Sequence, residues 1–162
     1  MRYHAFTVDE VDELLPRLRQ VLRSIRKTQA RARRAFERLQ LLNVLWGEDI
    51  GREGNPDHEE YAELREQIAE AARSVQAIVE SELRARGIRF PSGGLEHGLL
   101  DFPTTYDGRW VYLCWRMGED GVAHWHEVDG GFRGRRRITE EQARVMGRAD
   151  DPDDLDDSVL DF

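Results

Sequence analysis

Residues 7–46 read TVDEVDELLPRLRQVLRSIRKTQARARRAFERLQLLNVLW, and the spacing of their apolar positions decides the fold. Val11, Leu14, Leu18, Val21, Ile25, Thr28, Ala32, Ala35, Leu39, Leu42 and Trp46 recur at alternating steps of three and four. That is the period of a coiled-coil seam, so the stretch predicts one long helix. Leu15, Leu22 and Phe36 flank the seam and widen it. Thr7-Val8-Asp9-Glu10 fits a capping box at the helix start, with Phe6 at the staple position before it. Pro16 removes one backbone hydrogen bond, and a kink or local fray is expected there.

Downstream, Gly47–Asp57 (GEDIGREGNPD) breaks the pattern. A second helical pattern follows through Tyr61, Leu64, Ile68, Ala71, Val75, Ile78 and Glu82, with Leu83 beside it. It ends at Gly87, a residue suited to a left-handed cap, with Ile88 where a Schellman motif places an apolar contact. Two such helices joined by a short loop fold back as an antiparallel hairpin. A pair of helices cannot bury so wide a stripe alone, so the remaining chain or a second subunit must cover it. Homodimerisation through the hairpin is the expectation.

From Phe90 the pattern changes. Leu99-Leu100-Asp101-Phe102-Pro103 reads as a short strand ended by proline, and Arg109–Arg116 (RWVYLCWR) is the strongest strand signal of the chain. Ala123–Val128 (AHWHEV) is a further strand. A two-residue turn at Asp120-Gly121 would set Arg116 opposite Trp125, and so place His124 and His126 on the face of Val111, Leu113 and Trp115. A loop longer by one residue inverts that assignment. The expectation is an α+β protein: a hairpin at 1–87, a small antiparallel β module at 88–138 packed on it, and an acidic, flexible tail at 139–162.

The whole chain has 162 residues with 24 Lys+Arg, 32 Asp+Glu and a formal net charge of −8. Residues 1–40 carry ten Lys+Arg against five Asp+Glu, and residues 140–162 carry two against nine. The tail therefore supplies most of the excess, although Leu155, Val159, Leu160 and Phe162 could dock it on the rest. No apolar run reaches the roughly 18–20 residues of a membrane span, and no signal-peptide pattern opens the chain. The lone cysteine, Cys114, excludes an internal disulfide framework and points to a reducing, cytoplasmic compartment. The arginines of the first helix occupy most of its non-seam positions, opposite glutamates of the second. They read as a solvated, interhelix-paired exterior, and nucleic acid is not expected as a partner.

Chemistry-bearing residues concentrate in the β module. Its polar and aromatic side chains suggest a small-ligand or partner site, with Asp101, Arg116, Glu119 and His126 as polar contacts and Trp115 and Trp125 as walls. His124 and His126, two apart on a strand, point the same way and are candidate ligands for a divalent transition metal. The third ligand would be Asp101, Glu119, His97 or Glu127. A metal-dependent, hydrolytic enzyme using His126 and nearby carboxylates is the alternative reading, and a structural coiled-coil adaptor a third. Cys114 as a nucleophile with His126 as base stands against a small buried apolar residue in a strand. Arg116 over Trp125 is an expected cation–π contact.

Several motifs together resemble the bacterial domain-of-unknown-function family numbered 2203. They are Phe6-Thr7 with Leu14-Leu15-Pro16, Gly98, Asp101-Phe102-Pro103, Val111–Arg116, Gly118-Glu119, Trp125-His126-Glu127, Gly131-Phe132 and Gly134-Arg135. The likeness covers residues 1 to about 138 and implies no established activity. It singles out Asp101, Cys114, Trp115, Glu119, Trp125, His126 and Arg135, whereas His124 and Arg136-Arg137 depart from the family's pattern.

Overall fold

The computed structural model describes residues 3–160; Asp161 and Phe162, expected in the acidic tail, lie outside the described residues. The chain is α+β and divides into two compact units, residues 1–22 with 81–162 and residues 23–80. Helix α1 (Val8–Trp46) runs unbroken through Pro16 and contributes to both. Its start is the anticipated capping box: the Thr7 amide donates to Glu10 Oε2 at 2.7 Å and the Glu10 amide donates to Thr7 Oγ1 at 3.2 Å. No helix among the described residues is long and apolar enough to cross a membrane.

In the unit 23–80, α2 (His58–Ile78) folds back against the second part of α1. Ala35 and Leu42 of α1 are buried with Leu64 of α2 and Ile50 of the connecting turn, and Leu39, Tyr61 and Ile68 pack against them. Arg38 clasps Glu60 through both carboxylate oxygens, at 2.6 and 2.9 Å. Two residues expected in or beside the seam are not covered: Phe36 is 48% and Trp46 37% exposed.

The other unit opens at the end of α2, where a π-helical turn (Val79–Leu83) and a 3-10 turn (Arg84–Arg86) tighten the chain. Gly87 adopts φ +75°, its amide donates to the Arg84 carbonyl, and the Ile88 amide donates to the Leu83 carbonyl. These are the two bonds of a Schellman motif, completed by full burial of Leu83 and Ile88. Arg17 of α1 pairs with Glu82 here. After a single helical turn, α3 (Gly94–His97), comes a four-stranded antiparallel sheet in sequential order. Its strands are β1 (Leu99–Tyr106), β2 (Arg109–Arg116), β3 (His124–Glu127) and β4 (Arg136–Arg137).

Pro103 does not end β1, contrary to expectation. The strand is at the sheet edge, where the missing N–H turns outward and the Pro103 carbonyl accepts from the Phe6 amide at 2.8 Å. The β1–β2 hairpin closes on Asp107-Gly108, both with positive φ, the signature of a type I′ turn. The expected β2–β3 register is also corrected. Cys114 faces His124, Leu113 faces Trp125 and Tyr112 faces His126. The connection spans residues 117–123 rather than two, and this shift of three positions inverts the face of every β3 side chain.

One face of the sheet carries Leu100, Phe102, Val111, Leu113 and Trp115, all essentially unexposed, and meets the first turns of α1. Phe6 stacks edge-on against Phe102, Arg19 lies over Trp115, and Asp12 accepts from the Val122 amide at 2.8 Å. The C-terminal segment starts by the first face, where Gln142 reaches the Tyr106 hydroxyl, and ends on the other. Helix α4 (Glu140–Val145) starts with a Thr139–Gln142 capping box, and Met146 behind it is fully buried. Gly147, at φ +72°, donates to the Thr105 carbonyl, and a Cβ there would stand 2.5 Å from the Phe6 carbonyl oxygen. No other residue fits. Leu160 and Leu155 then pack with Ala5, Trp110 and Tyr112, while Val159 is 47% exposed.

Candidate functional site

Strand register brings three donor side chains to one place. Arg89 pairs with Asp101 across the outer edge of β1, its amide and carbonyl exchanging 2.8 Å hydrogen bonds with Asp101. With its backbone groups turned outward, Asp101 faces Cys114 of β2 as a non-hydrogen-bonded pair, the arrangement in which cross-strand side chains approach most closely. His126 projects from the same face of β3 and reaches diagonally across β2. Its Nε2 lies 3.2 Å from Asp101 Oδ1. One ligating atom from each of Asp101, Cys114 and His126 lies within 4.8 Å of the others, and all three residues are buried.

Hydrogen-bonding roles follow from what each partner can do. The Glu127 carbonyl can only accept, so the 2.7 Å contact to His126 Nδ1 places a proton on that nitrogen. The Asp101 carboxylate accepts from Nε2 on one oxygen and from Arg89 at 2.8 Å on the other. Burial works against the imidazolium, but the hydrogen bond and negative charge of Asp101 outweigh it and raise the His126 pKa. The Arg89 guanidinium lies 4.9 Å over the Tyr112 ring, which also borders His126. Burial, followed by the charge of Asp101, drives the Cys114 thiol far above its ordinary range. Cys114 is therefore a protonated thiol, and His126 has no free nitrogen to serve it as base; the nucleophile reading has no geometric support.

Above this cluster lies a pocket of about 150 Å3 lined by Arg89, Pro91, Leu99, Asp101, Cys114, Val128, Asp129, Gly131 and Phe132. A larger hollow of about 370 Å3 lies in the unit 23–80, between Thr28, Arg31 and Ala32 of α1 and Gln67, Glu70, Ala71 and Ser74 of α2. Small side chains facing each other explain that hollow, and its lining offers neither a histidine nor an aromatic ring.

The residues singled out from the sequence fall into separate groups. Asp101 and His126 are together. Glu119 instead binds Arg135, which also donates to His124 Nδ1 at 2.7 Å. Burial and the Arg135 charge lower the His124 pKa, consistent with an imidazole that accepts. His124 and His126 share a face, but their rings are committed to different partners and do not converge. Trp115 and Trp125 point to the opposite face from Asp101 and cannot wall the pocket. Trp115 donates to the Glu119 carbonyl, and Trp125 packs on Tyr106 beneath Arg136. Arg116 is exposed and lies 6.0 Å from the centre of Phe132, not over Trp125. His97 and Glu127 are also elsewhere, Glu127 being gripped by Arg109 at 2.7 and 3.0 Å.

Sequence reasoning missed Arg89 as a site residue. Its importance comes from lying beside β1 at Asp101, a pairing between residues twelve apart that no periodicity announces. Phe132, which appears in the sequence only as part of the Gly131-Phe132 motif, becomes a pocket wall in the fold.

No curated protein and no solved structure matches the chain. A family model described as an uncharacterized conserved protein, DUF2203, matches residues 4–138, which takes in α1, α2 and the whole sheet; the chain belongs to that family.

Proposed function

We propose that this protein binds a small polar ligand in the pocket over β1 and β2 and self-associates through its helical hairpin. The observation that supports the first part is the pocket floor: a buried carboxylate and a buried thiol line the hollow beside a guanidinium and the Phe132 ring. A concave site with a few convergent polar groups on rigid strands is the usual form of a small-molecule site. The volume of about 150 Å3 limits the occupant to a handful of non-hydrogen atoms. Acetate, acetamide and ethylamine probe anionic, neutral and cationic versions of such a ligand. Amide NMR shifts at Asp101, Cys114 and 128–132 with at least one of them, lost in Leu99→Trp, are expected. Silence at those amides, or shifts unchanged by Leu99→Trp, would contradict the proposal.

Self-association draws on a second stripe of α1. Leu41, Val44 and Leu45, at steps of three and four, are 48%, 82% and 62% exposed, on the side away from Leu39 and Leu42. A second copy of the chain covers such a patch without a further partner. The lone cysteine, kept as a thiol, suits a reducing, cytoplasmic setting. The alternative, a metal-dependent hydrolytic enzyme, draws support from the convergence of Asp101, Cys114 and His126.

A further inference from the structure

We infer that the pocket floor is a three-ligand zinc site formed by Asp101, Cys114 and His126, with its fourth position open to the pocket. This rests on the ligand-binding reading above and gives it a chemistry: the occupant is a water, or a small molecule presenting oxygen or nitrogen to the metal.

Four features carry it. The donor atoms of the three side chains lie within 4.8 Å of one another, and a tetrahedral ion bound at ~2.0–2.3 Å needs them about 3.2–3.8 Å apart. His126 Nε2 and Asp101 Oδ1 already stand 3.2 Å apart. The set itself, one imidazole, one thiolate and one carboxylate, is borderline-soft and suits zinc rather than magnesium or calcium. The supports are also in place. The Glu127 carbonyl fixes the His126 ring through Nδ1–H, so Nε2 is the nitrogen that turns to the site, and Arg89 holds the second Asp101 oxygen and leaves the first. Such outer hydrogen bonds orient ligands in metal centres generally. Finally, two of the three ligands, Asp101 and Cys114, line the pocket, so a fourth coordination position faces it, as in sites that act on substrates rather than those that only hold a fold together.

Charge is conserved in the exchange. Zinc enters as the dication, the Cys114 thiol and His126 Nε2 each release one proton to solvent, and the Asp101 carboxylate and Arg89 guanidinium keep their charges. The buried cluster therefore carries the same net charge with the ion as with the two protons, so binding adds no uncompensated buried charge.

The test uses full-length, untagged protein freed of metal with a chelator and then titrated with zinc against a competing chelator. One zinc per chain is expected, and Cys114→Ser should weaken it by ~100-fold or more, beyond the 10–100-fold typical of losing a supporting hydrogen bond. His124→Ala should leave the affinity unchanged. Cobalt in place of zinc should give the wild-type protein a thiolate-to-cobalt charge-transfer band, a reading that does not depend on any variant folding. Absence of that band with substoichiometric zinc overturns the inference, as does binding that His124→Ala abolishes. The pocket reading has its own fate: NMR shifts from acetate, acetamide or ethylamine in metal-free protein would uphold it even if zinc failed to bind.

Discussion

The unit 23–80 and the sheet unit use charge in opposite ways. In the hairpin, Arg38–Glu60 and Arg73–Glu66 lie on the surface, with side chains 40–70% exposed, over a modest core of Ala35, Leu42, Ile50 and Leu64. In the sheet unit Asp101 and His126 are buried, with Arg89 half-buried against them, beside a core in which Leu100, Phe102, Leu113 and Trp115 have no exposure. Surface pairs are weak and replaceable, because water competes for both partners. Buried ones are costly to break, because the partner left behind cannot be hydrated. Functional chemistry is therefore expected in the second region.

The sharpest separation comes from packing. Trp115→Ala should cost about 3–5 kcal/mol in denaturant unfolding, since no neighbouring side chain can refill an indole-sized hole at zero exposure. Asp101→Ala comes next. It strands His126 and Arg89 together, and the expected loss is about 2–4 kcal/mol, below the ~3–5 of a fully buried pair because the Arg89 side chain is 15% exposed. A loss no larger than a surface substitution would break the contrast between the two regions.

Smaller effects probe the borders of the comparison. Glu127 is held below its ordinary pKa chiefly by the Arg109 hydrogen bond. A depressed carboxyl contributes stability that is present above its unfolded pKa and lost as pH falls through the folded one. The acid limb of a stability–pH curve should therefore flatten in Glu127→Gln, by about 0.5–1 kcal/mol at neutral pH; an unchanged limb counts against the pairing. At the hairpin, Leu45→Glu should reduce the mass seen by light scattering to that of one chain, with the helical circular dichroism unchanged. A wild-type mass of one chain at tens of micromolar would refute self-association. Arg38→Ala should have the least effect, a midpoint indistinguishable from wild type.

Local signals were legible and distant pairings were not. Thr7–Glu10, the Gly87-Ile88 cap and the strand Arg109–Arg116 each declare themselves within a few residues, because caps and alternation are local physics. The β3 register depends on the conformation of seven loop residues, 117–123, so Asp120-Gly121 misled by imitating a hairpin turn. Pro103 misled in the same way, since only knowledge of the sheet edge shows where its missing donor points. Within the site, Asp101 and His126 were foreseen as a polar cluster. Glu119 was misplaced because nothing local to it shows that Arg135 will claim it, and Arg89 is one arginine among many until β1 forms beside it.

The wiring of the buried cluster is the centre of the account, and nitrogen NMR of His126 in chelator-treated protein reads it directly. At pH 6.5, where an unperturbed imidazole would be half protonated, both His126 ring nitrogens should carry protons that exchange slowly with solvent, one bonded to the Glu127 carbonyl and one to Asp101. Asp101→Asn should shift the ring toward its neutral form. A ring with a single proton at that pH, or one exchanging freely with water, would contradict the account.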